Sequence, residues 1–377
     1  MTKLLIVAAT SAMIFFSGCS LGANETPVLR ETVQREHVQR EQVISSLSEL
    51  ELLPQIVSAQ RLSGAEAADS SRFFFPHYLP GDLDHLVVYE IVYKTPDGAF
   101  LRGFVSAPAD YLENTYPVII RSNPEGYGRH GGTDWFGLRK GVRLTEEGFI
   151  VIQFRHRHDL ANRAEEYDLY GTMFLANVEG GIPSQFGGND LYDITTLIEI
   201  SEHFGFSADK RFLKGDMRAY ILLRREDLVD AAIIYRAIPD FEAYYMELVE
   251  EIEFLGELGR EANQPQAVID AVIDAMVRPH YTHLERIRSA LGGSPGQARD
   301  EFFNRSAIRW ADEITTPLLF IQNEGSFLFD TYGVYGRMSR AGRDVTMVYN
   351  TVIRTGEIDE EMFADIVYWL NMRTFNN

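Results

Sequence analysis

Cysteine is nearly absent: 377 residues carry one, Cys19. A single thiol has no mate within the chain, so no intrachain disulfide holds this fold and stability must come from a buried core, for which the length is ample. Positive charge is the second shortage. Lys plus Arg number 35 against 55 Asp plus Glu, a formal net charge of −20, which disfavours nucleic acid and anionic membrane surfaces as partners and reads as a soluble acidic surface. Histidine is missing from one region: the nine stand at 37, 77, 85, 130, 156, 158, 203, 280 and 283, and none follows His283. No heptad is sustained, which excludes a coiled coil, and the uncharged run at residues 4–16 is too short for a confident membrane-spanning helix.

That short run follows Lys3 and precedes Phe16-Ser17-Gly18-Cys19. It reads as a secretory signal, and the last four residues resemble a bacterial lipobox, in which the cysteine is acylated and becomes the first mature residue. Phe16 stands where leucine is usual. The expectation is a signal peptide at residues 1–18, a membrane partner reached through acylated Cys19, and, from the serine at position 20, an outer-membrane location facing the periplasm.

Residues 19–80 are expected to be a tether with a loosely packed outer helix, anchored near residues 73–78. The body then runs over 81–377. Strand patterns at 86–93 and 100–105 flank the turn Thr95-Pro96-Asp97-Gly98, and further buried strands are predicted at 118–121, 149–154, 211–215, 230–234, 316–322 and 345–349. Helical patterns between them predict an α/β fold with a mostly parallel central sheet and helices on both faces. Residues 241–300 break the alternation with helical composition. They read either as an inserted lid over the strand ends or as a surface insertion without a gating role.

The chain is organised around residues 211–220, where a strand pattern ends at Gly215 and a helix begins. Gly215-Asp216-Met217-Arg218-Ala219 occupies the frame of a nucleophile elbow, G-x-S-x-G. With the upstream Gly187-Gly188-Asn189-Asp190 loop and the downstream strand, this order resembles the catalytic domain of prolyl-oligopeptidase-type (family S9) serine hydrolases over roughly residues 86–377. The resemblance implies an α/β-hydrolase fold and a triad in the order Ser, acid, His. The matching positions here hold Met217, Ser326 and Arg354. Methionine cannot transfer an acyl group, and an arginine stays protonated near neutral pH and cannot be a general base. Glu324 and Asp330 are alternative acids out of register, and the absence of histidine beyond 283 needs no alignment at all. The oxyanion-equivalent loop, Ser122, Asn123 and Tyr127, includes Glu125, whose charge opposes an oxyanion.

Two rescues are available. Asp216 as nucleophile requires a one-residue shift and still lacks the histidine; a local ion pair with Lys214 or Arg218 is the simpler role. His156 and His158 have alternate spacing suited to a metal but lack a spaced third ligand, and with Arg129, His130 and Arg155 they form instead a basic patch for an anion. Tyrosines 167, 170, 235, 244 and 245 are expected to serve core or rim packing, some of them lining a pocket. No cofactor and no metal are expected. The resulting expectation is a non-catalytic binding module for a peptide or small anion, with Met217 and Arg354 as an apolar and cationic floor. An active peptidase or esterase using other residues and a purely structural envelope protein are the competing readings.

Overall fold

The computed structural model describes residues 42–63, 85–122, 141–154, 185–224, 228–235, 237–261, 277–323, 331–350 and 360–375, with isolated positions between 267 and 271. Outside the described residues lie the signal region with Cys19, residues 73–78, Asn123, Glu125, Tyr127, Arg129, His130, residues 155–159, Tyr167, Tyr170, Glu324, Ser326, Asp330 and Arg354.

Among the described residues, nine strands form one sheet: β1 (Ile56–Leu62), β2 (Leu86–Lys94), β3 (Phe100–Pro108), β4 (Tyr116–Ser122), β5 (Ile150–Phe154), β6 (Ser207–Gly215), β7 (Ala231–Tyr235), β8 (Leu318–Asn323) and β9 (Val345–Asn350). Their order across the sheet is β1-β2-β3-β5-β4-β6-β7-β8-β9. β1, β2 and β3 run antiparallel to their neighbours, and from β5 to β9 every pairing is parallel. The β2–β3 hairpin closes at Gly98, whose φ of 87° is a left-handed conformation that glycine adopts without a Cβ penalty.

Parallel strands are covered on both faces, and their residues show it. Ile119, Val151, Phe212, Ile233 and Leu319 point into one core, where α7 (Glu360–Phe375) packs with Met362, Ile366 and Leu370. Ile120, Ile152, Leu213, Ile234 and Phe320 point into the larger core on the other face, shared with α1 (Tyr192–Glu202) and α2 (Met217–Leu223). Each fully buried aliphatic side chain contributes roughly 1.5–3 kcal/mol. The remaining helices are α3 (Phe241–Glu261), α4 (Arg278–Leu291), α5 (Arg299–Arg305) and α6 (Tyr332–Arg340), with a further helical stretch at 141–146. Helices α3 and α4 realise the helical character expected of residues 241–300. None of the described helices is long and apolar enough to cross a membrane.

The boundary expected at residue 80 is corrected. The body includes residues from 42 onward. Ile44, Leu47, Leu50 and Leu53 are 0–1% exposed, and β1 extends the sheet beside β2. The outer helix expected in this segment is, where described, a six-residue 3-10 helix at Leu47–Leu52. Its apolar side chains recur every third residue, the spacing that stacks on one side of a three-residue-per-turn helix, so this segment packs instead of tethering.

Candidate functional site: the strand-turn-helix corner

β6 reaches the corner with Phe212 and Leu213 fully buried and ends at Gly215. A Cβ at 215 would sit 2.9 Å from the Cβ of Ala219. The turn is therefore tight enough to need glycine at its first position and a small residue at the start of α2, which explains the Gly215 and Ala219 frame. The geometry inside the frame differs from a working elbow, where the nucleophile sits on a strained turn. Phe186 is the non-glycine residue with positive φ among the described residues, so Met217 is relaxed. Its side chain, 4% exposed, belongs to the larger core cluster with Phe186, Ala219 and Ile221. The expected apolar floor is thus core packing.

α2 starts as an ordinary capped helix. Asp216 is its N-cap, and the carboxylate Oδ1 accepts the Arg218 N–H at 2.9 Å. In a serine hydrolase of this architecture, the N–H of the residue after the nucleophile is an oxyanion-hole donor. Here that donor is already engaged, and the group engaging it is negative, so an oxyanion at this place would meet repulsion from the carboxylate.

Asp216 is also one member of a buried ion cluster. The Arg218 guanidinium, 1% exposed, donates from Nη1 to Asp216 Oδ2 at 2.8 Å and from Nε to Asp190 Oδ2 at 2.9 Å. Asp190 is fully buried, and its Oδ1 accepts the Gly187 N–H at 2.9 Å. Charges out of water persist only when paired and hydrogen-bonded, as these are. Arg218, one of the two partners expected for Asp216, is paired with it. Asp190 stands 28 positions away in sequence, and its role as the second carboxylate was not legible; the Gly-Gly-Asn-Asp loop itself was the signal.

A second polar row crosses the sheet under the strand ends. Gln153, Arg121 and Lys214 are in register on adjacent parallel strands and are at most 4% exposed. Arg121 Nη1 donates to Gln153 Oε1 at 3.0 Å, and Lys214 Nζ lies 5.5 Å from the centre of the Tyr235 ring. Burial lowers the Arg121 pKa to about 10, which still leaves it cationic at neutral pH. Ser122, at the end of β4, is 1% exposed and lies near Gly215.

The loop before α1 joins the corner to the helical insertion. Phe186, with φ 49°, packs its ring against Phe241 of α3 and His283 of α4, and its carbonyl accepts from Arg305 Nε of α5 at 2.6 Å. α3 and α4 are tied by Tyr244 Oη and His283 Nε2 at 3.0 Å, and by Arg288 Nε donating to Tyr245 Oη at 2.6 Å. Tyr235, Tyr244 and Tyr245 are all buried, and thus serve packing. Among the described residues no group of three or more His, Cys, Asp or Glu is placed to hold a metal ion.

The sheet order, the crossing helices and the corner define an α/β-hydrolase fold. Solved structures agree. A candidate dipeptidyl aminopeptidase IV from Bacteroides ovatus superposes with a TM-score of 0.51 at 13% identity, covering 80% of this chain and 37% of that one. The uncomplexed acylaminoacyl peptidase of Pyrococcus horikoshii gives 0.50 at 15% identity, covering 78% of this chain and 42% of its own. The chain thus spans about two fifths of the length of these two structures, and at such identity the likeness is one of fold. No family model and no curated protein matches the sequence.

Proposed function

We propose that this chain is a non-catalytic relative of the S9-type peptidases, a lipoprotein of the bacterial cell envelope that binds a ligand or partner through its hydrolase scaffold. The observation that carries the reading is the Arg218 N–H donated to the Asp216 carboxylate beside a buried Met217. The corner keeps the backbone frame of an elbow while its nucleophile position is packed into the core and its oxyanion donor is occupied. The lack of any histidine after His283 supports the same reading. Acylation of Cys19 places the protein on the outer membrane facing the periplasm. The ligand class is a peptide terminus or a small anion, a choice that follows the peptidase names of the structural neighbours and the cationic Arg121 and Lys214 near the strand ends. α3 and α4 act as the lid of this site.

The test is fluorophosphonate labelling of the full chain beside its Met217→Ser form, with adducts located by mass spectrometry. Neither protein is expected to take up label, because a new hydroxyl at 217 has no histidine base and no free Arg218 N–H. Stoichiometric labelling of a wild-type serine such as Ser122 or Ser326 overturns the reading and establishes an active hydrolase with an unusual base.

A further inference from the structure

The two edges of the sheet are finished differently. β1 is covered: the outward Ala59 N–H donates to Glu51 Oε1 at 3.0 Å, Gln60 and Arg61 are exposed on the strand, and the 3-10 helix at Leu47–Leu52 lies against it. Charged side chains and a covering segment are the usual means by which an edge is kept from pairing with another chain.

Among the described residues, β9 has none of these. Its six residues, Val-Thr-Met-Val-Tyr-Asn, carry no charge and no proline, and its pairing with β8 runs without a bulge. The Leu318 N–H donates to the Asp344 carbonyl at 3.0 Å, which sets the phase of the ladder. Even-numbered residues of β9 bond to β8, so Val345, Met347 and Tyr349 turn their backbone N–H and C=O groups outward. Exposed apolar side chains flank the strand on both faces of the sheet. On one, Tyr349 is 55% exposed, with its ring centre 6.2 Å from that of the half-exposed Tyr332 at the start of α6. On the other, α7 presents Tyr368, Met372 and Phe375 at helical spacing. Asp344, next to β9, takes a two-pronged bond from Arg373 at 2.6 and 2.7 Å, which fixes the end of α7 beside the strand.

We infer that β9 pairs with β9 of a second copy of this chain, antiparallel about a twofold axis near Met347, to give a sheet continuous through a dimer. A twofold pairing needs a strip complementary to itself, and an antiparallel strand supplies it: the outward groups of Val345 meet those of Tyr349 in the other copy, and Met347 meets Met347. The charge distribution selects this edge for a second copy. Two chains of net charge −20 repel over most of their surfaces, whereas along β9 they meet on an uncharged strip whose neighbouring Asp344 is paired with Arg373. Tyr332 and Tyr349 on one face and Tyr368 and Met372 on the other supply the apolar flanks.

The test is the mass of the full chain in solution, by sedimentation velocity over a hundredfold range of concentration, beside Tyr349→Pro. Proline is tolerated on an edge strand where the lost N–H points outward, so this variant keeps the β8 ladder and removes one outward donor. Tyr368→Glu, on the exposed face of α7, is the second variant and leaves the strand untouched. Twice the chain mass for wild type is expected, with at least a tenfold weaker association in both variants at unchanged circular dichroism. A wild type that stays monomeric throughout overturns the inference, as does a dimer that both variants leave intact. A monomer whose β9 amides are nonetheless protected from hydrogen exchange also overturns it, and identifies a different strand as the occupant.

Discussion

The corner stands at the end of β6 and the helical insertion follows β7, and they are held by opposite means. At the corner, Asp190, Asp216, Met217 and Arg218 are at most 5% exposed, and charge is neutralised inside the core. In the insertion, the described side chains of α3 after Leu248 are exposed or half-buried: Val249 and Ile252 only partly pack against the core, and Glu251 pairs with His280 of α4 within reach of solvent. Buried ion pairs hold one geometry, because any departure strands a charge in a low-dielectric interior. Half-exposed hydrogen bonds exchange with water and permit local opening. The first kind of attachment fixes a geometry, and the second allows it to change.

The sharpest way to break this contrast is Arg218→Ala. It leaves Asp190 and Asp216 without their shared guanidinium, and a loss of about 3–5 kcal/mol is expected, read as a lower urea midpoint. A loss under about 1 kcal/mol would place the corner in the same class as the insertion. In the insertion, Tyr245→Phe removes the acceptor for Arg288 Nε and is expected to lower global stability by only about 0.5–1.5 kcal/mol. Limited trypsin digestion should show faster cleavage within residues 241–291 while the corner stays protected.

The smallest effect concerns acid. Burial raises the Glu247 pKa above 4.5, with Glu251 and Glu250 adding to the shift. The folded state therefore binds the proton more readily than the unfolded one, and this group's contribution to stability falls as pH rises through the window above 4.5. Glu247→Gln should remove that part of the pH dependence, seen as amide exchange in α3 that changes less between acid and neutral pH than in wild type. An unchanged pH profile would assign the dependence to other groups.

The strands and their alternation with helices were legible because periodicity is local. β2, β3, β4 and β5 fall where their apolar and β-branched runs predict them, and the turn at 95–98 is written in Pro96 and Gly98. β1 was missed because Ile56–Leu62 has a polar, half-exposed pattern typical of an edge, and its assignment depends on β2 being beside it. The corner was found from its frame, and the residue at the serine position of that frame could be read directly as Met217. The engagement of the Arg218 N–H was not readable, since an aspartate before a helix predicts a cap but not which catalytic donor the cap consumes.

The sequence by itself determined the fold class, the identity of the residue in the nucleophile position and the absence of a late histidine, since each rests on residue type or short-range spacing. Tertiary structure decided the rest. Pairing Asp190 with Arg218 across 28 positions, placing Met217 in the core and setting β1 and β9 at the two edges of the sheet all depend on which segments meet in space. Those contacts carry the burial and charge terms that local pattern does not encode, and they turn an elbow-shaped corner into a locked one.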